Sequence, residues 1–212
     1  MSQPPPALPP DALPPDALPP NSPDALPPGA LPQDSFPSAI DTFDAKVDAW
    51  LERVRGNASA DRLFNTASTL GDFSVIWQLV SLVRATDGKR QAKQSLELSL
   101  FIGAESLIVN QGIKRIFNRK RPTPSGDARF DVRTPSTSSF PSGHASAAFF
   151  AATMLTSMTG KRFAPLWYTI GAIVAMSRPY VRIHHASDVV AGAAVGAGLG
   201  AAALRLRRLW TR

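Results

Sequence analysis

Val189-Val-Ala-Gly-Ala-Ala-Val-Gly-Ala-Gly-Leu-Gly-Ala-Ala-Ala-Leu204 contains no charged and no hydroxyl side chain. Its glycines at 192, 196 and 200 recur every fourth position, with Ala193 and Ala197 beside them. Such small-residue faces let helices approach closely where lipid supplies no hydrophobic drive. Four further stretches share its character. Ala145–Gly160 and Phe163–Ser177 are uncharged, Leu63–Val83 holds only Asp72, and Ser95–Ile113 holds Glu97 and Glu105. A membrane span needs about 20 apolar residues, with about 17 a working minimum. The predicted fold is therefore all-α: a polytopic membrane helical bundle of about five spans. The competing reading is the Ala/Gly-rich core of a soluble bundle. The glycine face leaves both internal packing and a homodimer open.

If all five stretches span, the loops alternate sides. Arg84, Lys89, Arg90 and Lys93 then share a side with Lys161, Arg162, Arg205, Arg207, Arg208 and Arg212. The positive-inside bias assigns that side to the cytoplasm. The connectors Phe117–Phe140 and Arg178–His184 face the extracytoplasmic side of the cell membrane.

The N-terminus is different material. Residues 1–38 hold 14 of the 20 prolines and four aspartates, with no Lys or Arg, so the formal charge of +7 understates how basic the rest is. A five-residue unit repeats there, Ala7-Leu8-Pro9-Pro10-Asp11 and then Ala12-Leu13-Pro14-Pro15-Asp16. Proline fixes φ and removes donors, so a disordered tail of polyproline II character is expected, serving as a spacer or as the ligand of a proline-reading partner. This polar segment dilutes the whole-chain mean hydropathy to −0.05. No secretory signal peptide is expected, because a basic flank and an apolar core are both missing. Residues 39–57 follow as an amphipathic helix, with Ile40, Phe43, Val47, Trp50, Leu51 and Val54 at helical spacing. It either lies on the membrane surface or packs on the body, residues 58–212.

The chain has no cysteine, which excludes disulfides, thiolate catalysis and Cys-based metal sites. Its three histidines, His144, His184 and His185, fall at the edges of apolar stretches on one predicted face, among Lys114, Arg115, Arg119, Lys120, Arg121, Arg178 and Arg182. So many fixed cations around imidazole call for a dense anion, with phosphate foremost. They argue against a His-cluster metal site, since they would repel a cation. No cofactor and no nucleic-acid partner is expected. In Pro141-Ser142-Gly143-His144, Ser142 can cap a helix and Gly143 lets a backbone N–H approach an anion. In His184-His185-Ala186-Ser187-Asp188, i,i+4 spacing puts His184 and Asp188 on one helix face, where the carboxylate can hold one imidazole nitrogen protonated. Asp72, Glu97 and Glu105 pair either with the cationic site or between helices. Arg133 and Arg182 meet a second phosphate or are plain surface charge.

Taken in order, Lys114-x6-Arg121-Pro122, Pro141-Ser142-Gly143-His144 and Ser177-Arg178-x5-His184-x3-Asp188 resemble the three-part signature of the type 2 phosphatidic acid phosphatase family. The resemblance runs from Lys114 to Asp188 by motif. It implies a membrane enzyme hydrolysing a lipid phosphomonoester or diphosphate through a phosphohistidine, without metal. His184 would be the nucleophile, Asp188 its orienting carboxylate and His144 the acid and base. Lys114, Arg121, Ser142, Gly143 and Arg178 would bind the phosphate. Vanadium-dependent haloperoxidases, soluble and longer, are similar in these motifs and give the alternative, as does a non-catalytic phosphate-binding membrane protein.

Overall fold

A computed structural model describes residues 38–210, and among them the secondary structure is entirely helical. The proline-rich tail falls outside the described residues, apart from Ser38. Seven α-helices follow in order: α1 Ser38–Glu52, α2 Ala58–Gly71, α3 Val75–Ala85, α4 Lys89–Leu107, α5 Gly143–Thr159, α6 Ala164–Tyr180 and α7 Ala186–Trp210. Short turns of tighter or wider helix cover Asp72–Ser74, Ile108–Gly112, Ile113–Arg115 and Lys161–Phe163.

The glycine face of α7 packs on α5 of the same chain. A methyl group at Gly196 would fall inside the contact radius of the Ser146 carbonyl oxygen, and one at Gly200 would lie 2.9 Å from Thr153 Cβ. At Gly192 it would press on the Ser142 carbonyl and stand 3.2 Å from Ala145 Cβ. Internal packing therefore occupies this face, which is closed to a dimer. Around the α5–α7 pair, Trp77, Leu98, Ile102, Phe150, Met154, Leu155 and Val174 form the main core.

Three expectations change. The stretch Leu63–Val83 is not one helix. It breaks at Asp72–Ser74, where Phe73 (φ 51°) and Ser74 (φ 60°) turn left-handed and Asp72 swings toward His144. The resulting α3 has 11 residues, about 16 Å of rise, short of a hydrocarbon core of about 30 Å.

The number of spans is the second. Among the described residues, one helix is long and apolar enough to cross a membrane, Ala186–Arg208 with mean hydropathy 1.7. Helices α5 and α6 have 17 residues each, and α4 opens with Lys89, Arg90 and Lys93. Large apolar side chains nevertheless face outward along α3 and α4, among them Leu79, Leu82, Val83, Leu96 and Leu100.

The third concerns α1, which packs on the body through a face rotated from the apolar stripe. Leu51 and Asp44 are buried, while Phe43 and Trp50 are exposed. The reason is polar: the end of α6 and the first turn of α7 present backbone groups to α1 and the residues after it. Arg55 Nε donates to the Tyr180 carbonyl at 2.8 Å and Nη2 to that of Pro179 at 2.8 Å. Asp44 Oδ1 accepts from the Ser187 N–H at 2.7 Å.

The basic clusters share one end of the bundle. Arg84 and Arg90 line a surface hollow with Thr159 and Phe163, and Arg207 pairs with Glu97 at 2.7 Å. Glu97 thus serves a contact between α4 and α7. His144, His184 and Lys114 gather at the opposite end, around one cavity.

Candidate active site

That cavity, about 330 Å³, is lined by Lys114, Gly143, His144 and His184, with Asp72, Glu105 and Arg133. Each wall has a local cause. Ser142 caps α5, its hydroxyl accepting from the Ala145 N–H at 3.4 Å, so the α5 N-terminus opens onto the cavity. The Ser142 N–H donates to the Asp188 carbonyl at 3.0 Å, which fixes the starts of α5 and α7 to each other. Lys114 is buried in the tight turn Ile113–Arg115 that follows α4.

His184 does not share a helix face with Asp188 as the spacing predicts. It sits in the connection ahead of α7, which begins at Ala186. The two still meet, His184 Nδ1 lying 3.5 Å from Asp188 Oδ2. Asp188 is held on both oxygens. Oδ2 accepts from Ser139 Oγ at 2.5 Å and from the His185 N–H at 2.9 Å, and Oδ1 from Arg119 Nη1 at 2.6 Å. On the other side of the ring, Arg121 Nη1 lies 3.2 Å from His184 Nε2. The Arg121 guanidinium is aimed by three carbonyls, those of Pro135 at 3.2 Å, Ile183 at 3.0 Å and Thr137 at 3.0 Å. Burial, reinforced by Arg178, Arg121 and Lys114, holds the His184 imidazole well below its ordinary pKa despite Asp188. The ring is therefore neutral at physiological pH. With Nδ1 toward a carboxylate, its lone pair lies on Nε2, facing the Arg121 guanidinium, the arrangement a nitrogen nucleophile requires.

His144 has a carboxylate of its own, Nε2 standing 3.1 Å from Asp72 Oδ1 and 3.3 Å from the Ser68 carbonyl. The kink at Phe73 delivers that carboxylate, and Gly71 leaves room for the ring: a methyl group there would lie 2.5 Å from His144 Cδ2. Two imidazole–carboxylate pairs thus face one cavity. Arg178 is 1 % exposed, with Nη1 donating to Ser68 Oγ, while its Nε and Nη2 are buried with no protein partner. Buried donors of this kind are costly unless an acceptor meets them, and a phosphate oxygen is suited to that role. Burial, with Arg121 and Arg178 nearby, pushes the Lys114 amine down to about 8, against the pull of Asp188.

The remaining charges divide. Glu105 accepts from Ser146 Oγ, a contact between α4 and α5. Arg182 is committed to Asp48 at 3.2 Å and Glu52 at 2.9 Å on α1. Arg133 instead stands at the cavity wall with its guanidinium carbon 4.6 Å from the centre of the Phe73 ring, and it makes no ion pair among the described residues. Sequence reasoning missed the contacts of Asp44, Arg119, Ser139 and Ser68. It left the partner of Asp72 open. None of these contacts has a local spacing that announces it.

A family model described as the PAP2 superfamily matches residues 95–212. The decaprenylphosphoryl-5-phosphoribose phosphatase of Mycobacterium tuberculosis is 33% identical over 137 residues, 63% of this chain and 73% of that protein. Among solved structures, the transmembrane PAP2-type phosphatidylglycerolphosphate phosphatase from Bacillus subtilis superposes with a TM-score of 0.65 at 19% identity, over 82% of this chain and 88% of that one. Aquifex aeolicus LpxE superposes with a TM-score of 0.61 at 23% identity, over 81% and 98%. The shared fold, the matched family region and the phosphatase relative agree: the chain belongs to the PAP2 superfamily and is a phosphoric ester hydrolase within it.

Proposed function

We propose that the enzyme hydrolyses a lipid phosphomonoester or diphosphate in the membrane through a phosphohistidine on His184, with no metal ion. The observation that carries this reading is the buried His184, with Asp188 behind Nδ1 and the Arg121 guanidinium 3.2 Å from Nε2. The phosphoryl group takes the place of Arg121 against Nε2, and the guanidinium shifts to bind its oxygens. Nε2 forms a bond to phosphorus as the bond to the lipid oxygen breaks, and His144, oriented by Asp72, supplies the proton to that oxygen. His144 then takes a proton from water, whose oxygen attacks phosphorus as the P–N bond breaks. Lys114, Arg121, Arg178 and the Gly143 N–H, at the helix end capped by Ser142, neutralise the equatorial oxygens through both steps.

The membrane assignment rests on the apolar residues facing outward on α3 and α4, on the length of α7, and on the basic clusters at the far end. By the positive-inside bias, those clusters favour a cytoplasmic position for that end and an extracytoplasmic one for the site. Helices α4 to α7 are the spans in this reading, with the short α3 beside them. As for substrate, the Mycobacterium tuberculosis relative is named for decaprenylphosphoryl-5-phosphoribose. Such a molecule carries a terminal phosphate and a second phosphate toward the lipid. Arg133, held over an exposed aromatic at the cavity wall, is placed for the second one.

The test is phosphate release by the detergent-purified protein across a panel of lipid phosphates in EDTA, with vanadate as competitor and His184→Ala beside it. EDTA-resistant, vanadate-sensitive release that is lost in the variant is the expected result. Vanadate-dependent halide oxidation without release, or silence in both assays, overturns the reading.

A further inference from the structure

We propose that α1 is part of the catalytic apparatus: its Asp44 is a positioning residue that acts on Asp188 through Arg119. Asp44 is 7 % exposed, unusual burial for a charge on a helix that reads as a surface element, and its partner Arg119, in the connection between α4 and α5, is 8 % exposed. The Arg119 guanidinium spans two carboxylates, Nη2 to Asp44 Oδ2 at 2.7 Å and Nη1 to Asp188 Oδ1 at 2.6 Å. Ser187 Oγ closes the figure, 2.7 Å from Asp44 Oδ2 and 2.7 Å from Arg119 Nη1. The Ser187 N–H, in the first turn of α7, donates to Asp44 Oδ1 at 2.7 Å.

Charge explains why this arrangement bears on the reaction, given the proposed phosphohistidine route. Asp188 must remain an effective anion opposite His184 Nδ1, because the imidazole becomes cationic as it takes up the phosphoryl group. A lone Arg119 bonded to Asp188 would cancel that anion. With Asp44 on its other edge, Arg119 is shared, and the three groups together keep one net negative charge at the histidine. The same contacts fix the direction of Asp188: Oδ1 is turned to Arg119, which leaves Oδ2 for His184. A helix cap alone needs only the bond from the Ser187 N–H. The second oxygen of Asp44, directed to Arg119, goes beyond a cap. Residues 38–56 lie outside the region that the family model matches, so the family motifs do not account for this contribution.

The experiment is a double-mutant cycle on the full chain in detergent, with dioleoyl phosphatidic acid as substrate, reading kcat, KM and thermal unfolding. Asp44→Asn keeps the shape and removes the charge. Its kcat is expected to fall at least tenfold with KM within twofold of wild type, and Asp44→Glu is expected to recover most of the loss. In an Arg119→Gln background, Asp44→Asn is expected to change kcat by less than twofold. Should Asp44→Asn unfold, Arg119→Lys tests the same link from its other end. It keeps a cation that cannot hold two carboxylates at once, and the same loss of kcat at constant KM is expected. Wild-type kcat in Asp44→Asn, or losses that multiply in the double variant, overturns the proposal while leaving the phosphatase reading intact. Wild-type protein inactive on this lipid and on every other lipid phosphate refutes that reading, and this inference with it.

Discussion

Adding one methyl group at Gly196 tests how the fold holds the two halves of the site together. Its Cβ would stand 2.7 Å from the Ser146 carbonyl carbon and 2.8 Å from Ser146 Cα, closer still to the oxygen, where ordinary contact begins at 3.4 Å. The obstacle is α5 backbone, which no rotamer change relieves, so α7 must move away by roughly 1 Å. Overpacking of this kind costs about 1–3 kcal/mol. For a chain of this size, that lowers the Tm by roughly 2–4 °C per kcal/mol. Catalysis is hit harder. Asp188 lies in the first turn of α7 and His184 just ahead of it, while His144 and Gly143 belong to α5, and a misplacement of about 1 Å in a catalytic constellation can reduce the rate on the order of 100-fold. Gly198→Ala is the matched control, because a methyl group there meets nothing within 4 Å. On helix propensity alone it gains up to about 1 kcal/mol. The assay is thermal unfolding in detergent together with phosphate release. Equal Tm and equal rate for the two variants would refute the packing argument.

Three further outcomes follow from the site. Lys114 with its pKa at about 8 is protonated below that pH and loses its charge above it. The kcat/KM profile should therefore fall on its alkaline side near pH 8, and Lys114→Arg should move that limb upward; an unmoved limb removes Lys114 from phosphate binding. Asp72→Asn should slow transfer of phosphate from a lipid to His184 on the order of 100-fold but scarcely affect the pre-steady-state burst from p-nitrophenyl phosphate, whose leaving group needs no proton in that step. Equal losses on both substrates would assign Asp72 a structural role only. Arg133→Ala should raise KM for a lipid carrying two phosphates and leave that for phosphatidic acid unchanged, and a common shift in both would dismiss a second phosphate contact.

Much of this was readable because the chemistry is written locally. Lys114 and Arg121 flank one turn, Ser142 to His144 form one cap, and His184 lies four residues from Asp188, so short spacings carried them. The all-helical body was legible from its uncharged stretches for the same reason. What escaped depends on distance along the chain. The Asp44–Arg119 contact joins residues 75 apart and the Arg119–Asp188 contact residues 69 apart, so no periodicity encodes either. The break at Phe73 was hidden inside a continuous apolar run. A left-handed aromatic residue has no signature there beyond Asp72, and its reason, the approach to His144, is tertiary. Around α1 the apolar pattern pointed Phe43 and Trp50 inward, but the Tyr180 carbonyl and the Ser187 N–H drew Arg55, just past the helix, and Asp44 inward instead. Polar satisfaction outweighed the hydrophobic stripe.

The most direct test of the central claim is to trap the intermediate. Protein mixed with a ³²P-labelled lipid phosphate in EDTA is quenched in alkali within milliseconds, digested, and its labelled peptide sequenced by mass spectrometry. Phosphate bound to His184 in the wild type, stable to alkali, released by acid and missing from His184→Ala, is the predicted result. Turnover with no labelled peptide, or with the label on another residue, contradicts it.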